Sequence, residues 1–225
     1  MKKLLLLGAG GGIGSAIKNC FENKGYKVIS PSSKELDLNN LPAISQYLNN
    51  LDLKDCSSMI YCAGINNPKE IESQPLSEYI RTLNINCLGF VEIVKHLAPI
   101  FKQNKEGNIL AITSVYGIIS REGRSAYSIS KHALLGAVQA MALEFGAFNV
   151  KVNALAPGFV ATKLTTKNNT PKQIKDIESK IALGRLASPE EIANVAYFLG
   201  GEENTYITGQ TIIADGGFLV GGYRK

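Results

Sequence analysis

Directly after the apolar run Leu4 to Leu7 the chain sets five glycines in seven residues, Gly8-Ala9-Gly10-Gly11-Gly12-Ile13-Gly14, and then the helix-length segment Ile13 to Asn23. A strand entering such a loop can turn tightly, because glycine tolerates backbone conformations that other residues avoid and puts no side chain between the main chain and a ligand. The helix that follows presents free N–H groups and the positive end of its dipole to the same space. Strand, glycine turn and helix therefore read as a cradle for a pyrophosphate.

The rest of the chain repeats the strand-then-helix rhythm. Strand-like runs at Lys27 to Ile29, Ser58 to Cys62, Asn108 to Thr113, Lys151 to Ala154 and Thr211 to Ala214 alternate with helical segments at Leu76 to Phe101, Ser125 to Phe148 and Pro189 to Leu199. Alternation of this kind predicts an α/β fold, a single Rossmann-type doubly wound domain over residues 1–225 with a mostly parallel sheet and helices on both faces. Pro189 followed by Glu190 and Glu191 suits a helix start, with proline in the first turn and acids at the positive end of the dipole. One interval is too short. After Ile29 only Ser30 to Glu35 precede Leu36-Asp37-Leu38, whereas a crossover between parallel strands takes a dozen or more residues, usually as a helix. An abbreviated connection and a trimmed or irregular sheet edge are expected there.

Composition narrows the function. At 225 residues, 45% hydrophobic, the chain can bury a sizeable core. No apolar run approaches the ~20 residues that span a bilayer, and the glycines come too soon after Lys2 and Lys3 to leave a signal-peptide core, so a cytoplasmic location is expected. Cysteines 20, 56, 62 and 87 have no metal-ligand spacing, and His96 and His132 are the only histidines, so reduced, packed thiols are expected and no metal. The net charge of +5 is spread along the chain, which gives no support for a nucleic-acid partner.

The chemistry gathers at Tyr127-Ser128-Ile129-Ser130-Lys131. Residues four apart share a helix face, and an ammonium beside a phenol favours the phenolate, which would bring Tyr127 toward proton exchange at working pH. Ser114 ends the apolar run thirteen residues before Tyr127. The glycine turn, Ser114 and Tyr127-x-x-x-Lys131 together resemble the short-chain dehydrogenase/reductase family. The likeness extends to Asn86 in Asn84-Ile85-Asn86-Cys87-Leu88-Gly89, to Asn153-Ala154-Leu155-Ala156-Pro157-Gly158, and to the tail from Tyr206 to Gly217.

The resemblance implies an oxidoreductase in which Ser114 polarises a carbonyl, Tyr127 protonates the developing alkoxide, Lys131 binds the nicotinamide ribose and lowers the Tyr127 pKa, and Asn86 anchors a relaying water. It implies a dinucleotide held by Gly8, Gly10, Gly11, Gly12, Ile13 and Gly14, by Ser32, Ser33, Asp37 and Leu38 toward the adenine, by Cys62, Ala63 and Gly64 after the strand Ser58 to Cys62, and by Pro157, Gly158, Val160 and Thr162 near the carboxamide. Gly8, Gly12 and Gly14 match the spacing of the short-chain branch; Gly8, Gly11 and Gly14 match the extended, epimerase-like branch, which chain length disfavours. Where the family has Asn-Asn-Ala-Gly, this chain has Tyr61-Cys62-Ala63-Gly64.

An acid at the end of the second strand would bind the ribose 2′-hydroxyl of NAD. Here Ser32, Ser33 and Lys34 occupy that stretch, which favours NADP, with Glu35 as the acid that could swing in instead. Residues 159–187 read as a small substrate lid whose lysines 163, 167, 172, 175 and 180, set against Asp176 and Glu178, read as a solvated surface or, alternatively, as an attraction for an anionic substrate. The tail Leu183-Gly184-Arg185-Leu186 through Gly217 is most like 3-oxoacyl-acyl-carrier-protein reductases, so the expected partner is a small molecule or an acyl thioester; a sugar or other small-alcohol dehydrogenase and a dinucleotide sensor are the alternatives. The apolar circumference of Ala133 to Leu143 and the tail Phe218 to Tyr223 predict a homotetramer.

Overall fold

The computed structural model describes residues 2–221. Six strands form one parallel sheet: β1 (Lys3–Leu7), β2 (Lys27–Ile29), β3 (Cys56–Tyr61), β4 (Gly107–Ile112), β5 (Val150–Pro157) and β6 (Thr211–Ala214), in the order β2-β1-β3-β4-β5-β6. Leu5 pairs with Ile29 on one side and Met59 on the other, and the row continues through Ile109 to Val152.

Side chains alternate across a strand, so each strand feeds two cores. Leu5, Leu7, Met59 and Ile109 pack with residues of α2 (Leu41–Leu48), α4 (Gly89–Asn104) and α5 (Ser125–Phe145), among them Ile44, Phe90, Leu97, Leu134 and Val138. Leu4, Leu6, Ile60 and Leu110 face α1 (Gly12–Asn23) and α8 (Pro189–Gly200), meeting Ile17, Phe21, Ile192 and Ala196. The doubly wound expectation holds, and the sheet is parallel throughout. At the far edge Asn153 fixes β6: its Nδ2 donates to the Ile207 carbonyl at 2.7 Å and its Oδ1 accepts from Gln210 N at 3.0 Å.

The short interval after β2 is resolved by removing a strand. Leu36 to Leu38 form none; Ser32 to Leu36 close a turn, with Leu36 N donating to the Ser32 carbonyl at 3.0 Å, and the chain crosses through α2 to β3. Three-residue β2 is therefore the outer edge. Helix α2 was not anticipated, because eight residues carry only two buried positions, Ile44 and Leu48, too few to register as a period.

The segment read as one helix from Leu76 to Phe101 is three pieces: α3 (Leu76–Leu83), a π-helical turn (Asn84–Leu88) and α4. Such turns widen the helix and concentrate at functional positions. The opening of α8 follows the expected chemistry. Ser188 accepts from Glu191 N at 3.2 Å, the Glu191 carboxylate accepts from Ser188 N at 2.8 Å, and Pro189 stands in the first turn. All four cysteines are free thiols. No helix among the described residues is long and apolar enough to cross a membrane.

Candidate active site

Chain direction away from β1 reverses at its two neighbours, β2 and β3, which makes the C-terminal ends of β1 and β3 the place where an open parallel sheet leaves a crevice. Those ends carry the glycine turn and Cys62-Ala63-Gly64, and both border one elongated cleft.

Glycines of the turn have different jobs. Gly8 has φ +89°, and a Cβ there would stand 2.6 Å from Ala63 N, so the two strand ends touch only because it lacks one. A Cβ at Gly14 would stand 2.1 Å from the Gly8 carbonyl oxygen, and one at Gly12 2.9 Å from Thr162 Cγ2. Gly11 has only an ordinary contact at 3.6 Å, so the steric demands fall on Gly8, Gly12 and Gly14, the short-chain spacing. Gly12 and Gly14 are consequently packing residues that do not line the cleft, whereas Gly8, Gly10 and Gly11 line its wide half and Ile13 its narrow half. At Gly10 a Cβ would meet nothing within 4 Å. Bare backbone beside the first turn of α1 fits a dinucleotide pyrophosphate.

The narrow half, about 170 Å³, is lined by Ser114, Tyr127 and Lys131 together with Cys62, Gly64, Pro157, Gly158, Val160 and Thr162. Ser114, two residues past β4, has extended backbone and accepts from Tyr116 N at 3.1 Å; its hydroxyl is near enough to Tyr127 to favour the ionised phenol. Tyr127 and Lys131 sit one turn apart on α5, as expected. Their electrostatics differ from expectation. Lys131 is 3% exposed and its ammonium donates to the Ile112 carbonyl at 2.9 Å, 5.6 Å from the centre of the Tyr127 ring. Burial outweighs any pairing: it pushes Tyr127 up to about 12, with the Ser114 hydrogen bond opposing, and brings Lys131 down to about 8. Lowering of the Tyr127 pKa by Lys131 is thus not a property of this arrangement, and Tyr127 is a protonated acid at neutral pH.

Asn86 is fully buried in the π turn. Its Oδ1 accepts from Ile65 N at 2.8 Å, and its Nδ2 donates to the Ile65 carbonyl at 3.0 Å and to Ser130 Oγ at 2.9 Å. The side chain is spent on the loop after β3 and on α5, so it is not available to anchor the relaying water expected of it. Tyr61, where the family has Asn, reaches the same turn: its hydroxyl donates to the Ile85 carbonyl, and a Cβ on Gly89 would stand 2.7 Å from that hydroxyl. Cys62, beside Lys131, is pushed up to about 12 by burial and stays a thiol.

The wide half, about 1060 Å³, is lined by Ser32, Ser33, Asp37, Leu38 and Ala63. Two expectations fail there. Glu35 does not swing in: its carboxylate accepts from Ser32 N at 2.8 Å and Ser32 Oγ at 2.7 Å, closing the turn, and those bonds hold it below the usual carboxylate range. Lys34 does not line the cleft. The cations that do are Lys18 and Arg81, one from each flanking helix, which no linear motif marks.

Over the narrow half lies α6 (Lys163–Asn168), followed by α7 (Pro171–Lys180). The span is pinned at its root by a bridge between Val160 and Ala187, and Leu164, Thr165, Asn168 and Asn169 form the cavity roof. The Lys180 ammonium pairs with Asp176 at 2.7 Å. The tail returns toward the cleft: Phe218 packs edge-on against Phe159 at 5.2 Å, Phe159 against Tyr116 at 6.2 Å, and Tyr116 against Tyr127 at 6.3 Å. Gly222 and Tyr223 of the predicted apolar tail lie outside the described residues. Arg124 was also missed. It lines the cavity, is 6% exposed, and directly precedes α5. Among the described residues no group of three His, Cys, Asp or Glu side chains could hold a metal ion.

Residues 37–219 match the family model described as enoyl-(acyl carrier protein) reductase. The 3-oxoacyl-(acyl-carrier-protein) reductase of Rickettsia felis is 32% identical over 235 residues, 97% of each chain. Among solved structures, the ligand-free aldohexose dehydrogenase of Thermoplasma acidophilum superposes with a TM-score of 0.91 at 28% identity, covering 97% of this chain and 94% of that one. The 4-hydroxyisoleucine dehydrogenase complexed with NADH does so with a TM-score of 0.90 at 28% identity, covering 98% and 99%.

Proposed function

The chain belongs to the short-chain dehydrogenase/reductase family of nicotinamide-dinucleotide-dependent oxidoreductases, and from that premise we propose that it reduces a ketone to a secondary alcohol, or runs the reverse, preferring NADP to NAD. The observation that carries the reading is the convergence of the Ser114 and Tyr127 hydroxyls, with buried Lys131 behind them, in the half of the cleft that Pro157 to Thr162 closes. The relatives' names make a 3-oxoacyl thioester the first substrate class to test.

When bound, the dinucleotide supplies or accepts a hydride at the carbonyl carbon. Ser114 orients the carbonyl oxygen by donating to it. Tyr127, protonated at neutral pH and joined to Ser114, delivers its proton to the same oxygen as negative charge develops, which suits the reductive direction. Lys131 holds a positive charge behind the phenol, and Asn86 fixes the loop of Ile65 against Ser130 so that α3 and α5 keep their spacing. Segment 159–187 acts as the lid. Lys18 and Arg81 supply the charge for a 2′-phosphate, in place of Lys34.

Oligomerisation completes the proposal. On α5, Ile129, Ala133, Gly136, Ala140 and Leu143 form one exposed apolar stripe, and Leu143 is 87% exposed. Two-fold pairing of this face gives a dimer, and a second two-fold contact through the terminal strand region completes a homotetramer, with the dimer as the fallback. Ala137 packs against its own core, so Ala140→Arg is the disrupting change, read by light scattering as a fall in mass. The reaction itself is tested by following reduced-nicotinamide absorbance with 3-oxoacyl thioesters, simple ketones and the corresponding alcohols. Consumption of NADPH faster than NADH with any ketone supports the reading, and dinucleotide binding with no turnover on the whole panel would replace it with a sensor.

A further inference from the structure

Arg124 is a cation of the narrow half whose charge has no anionic partner, although it acts weakly on the Tyr127 phenol and favours its ionised form. The arginine is the residue that caps the start of α5, three before Tyr127, and it lines the same cavity. The residue is 6% exposed, yet its Nε and Nη1 have no hydrogen-bond partner. Tyr116 bonds its guanidinium, the Tyr116 and Tyr127 phenols favour its charge, and Arg121 repels it; none of these groups is an anion at neutral pH. No ion pair to a carboxylate is formed by Arg124 among the described residues. Burying a guanidinium without an anion is costly, and folds retain such an arrangement where a ligand supplies the missing charge. A second orphan faces the same space: Asn66 Oδ1 is buried without a donor.

We propose that the substrate is a small oxo acid, or its hydroxy acid in the oxidative direction, whose free carboxylate is bound by Arg124 while Ser114 and Tyr127 engage the carbonyl or hydroxyl. This rests on the carbonyl-reductase reading above and replaces the acyl thioester by a free acid. Proximity makes the choice between anions. A group bound by Arg124 must sit within a few bonds of the oxygen that meets Tyr127, whereas the phosphate of a carrier or coenzyme thioester lies at the far end of a pantetheine arm. A carboxylate on the substrate's own carbon chain meets that limit, and a planar carboxylate matches a guanidinium. In the reductive direction the ketone carbon gains a hydride and the oxygen gains the Tyr127 proton, while the reduced dinucleotide is oxidised; the carboxylate is unchanged.

The test compares matched substrates and one inert probe. With 3-oxo and 2-oxo acids of four to six carbons, kcat/KM should exceed that of their methyl esters at least 100-fold. Arg124→Gln should lower it about 100-fold on the acids and less than threefold on the esters, with Arg124→Lys between. Butyrate should protect the parent against thermal unfolding and compete with the oxo acids, and should do neither with Arg124→Gln. NADPH affinity, measured by fluorescence, should be unchanged in both variants, which shows that they are folded. Equal rates on acids and esters, or equal loss on both in Arg124→Gln, would overturn the inference. Turnover of a thioester that depends on Tyr127 and ignores Arg124 would overturn it while leaving the reductase reading intact, and no turnover of any ketone would remove the reading beneath it.

Discussion

The two halves of the cleft are built on opposite principles. Around Ser114, Tyr127 and Lys131 the cavity is about 170 Å³ and its chemistry sits on secondary structure: the end of β4, one face of α5, a π turn held by Asn86. Burial there moves Tyr127 up to about 12 and Lys131 down to about 8. Toward Ser32, Ser33 and Asp37 the cavity is about 1060 Å³, its lining is largely exposed turn, and its one tight carboxylate arrangement, Glu35 on Ser32, is internal to that turn. In the reading proposed above, reaction chemistry sits in the half built on secondary structure, where Tyr127 and Lys131 are buried at a cost. The same reading leaves cofactor discrimination to the wide half, whose lining is mostly exposed.

The contrast should break first at Tyr127. Replacing it with Phe removes the proton donor from the narrow half and should lower turnover by about 10³-fold, within the range of general acid catalysis. Dinucleotide affinity, which the wide half dominates, should stay within about threefold of the parent by fluorescence titration, a shift under ~1 kcal/mol. Comparable losses of both would mean that the halves are not separable.

Two glycines sharpen the comparison inside one loop. Gly14→Ala forces a Cβ to within 2.1 Å of the Gly8 carbonyl and should lower unfolding free energy by roughly 3 kcal/mol or abolish folding. Gly10→Ala enters open space and should leave stability within about 1 kcal/mol while weakening dinucleotide binding. Denaturant unfolding beside binding titrations separates the two outcomes.

Lys131 makes the cost of the narrow half measurable. Its folded pKa, about 8, lies below the ordinary 10.5, so between those values the unfolded chain holds more protons than the native one. For this group stability therefore rises with pH through that window, and the full penalty is present below about pH 8. Lys131→Met should be more stable than the parent near pH 7 by up to ~3 kcal/mol, with the advantage gone near pH 10.5 and the rate greatly reduced. A constant difference across pH would show that the ammonium is not held at a cost.

The smallest effect belongs to the wide half. Arg81→Ala should raise KM for NADPH about tenfold, worth ~1.4 kcal/mol, and leave NADH within about twofold. Equal change for both would place Arg81 away from the 2′-phosphate and end the case for NADP preference made from this cation.

From the sequence by itself came the parallel doubly wound fold, the glycine turn and the Ser114, Tyr127, Lys131 set, because strand alternation, helix period and i,i+4 spacing are local and survive in one dimension. The abbreviated connection was legible for the same reason, since six residues after Ile29 cannot make a crossover, whereas the absence of a strand at Leu36 to Leu38 was not. Folding decided everything that depends on which distant groups meet. The glycine spacing stayed ambiguous until Gly14 met the Gly8 carbonyl and Gly12 met Thr162. The pKa values of Tyr127 and Lys131 departed from expectation because desolvation by the whole cavity exceeds the influence of one neighbour four residues away. Glu35 lost its proposed role to a turn that only its contact with Ser32 reveals. Arg124 looks in the sequence like any solvated arginine between Gly123 and Ser125; only the surrounding fold buries it without an anion, and the resulting unmet charge is what points to the substrate.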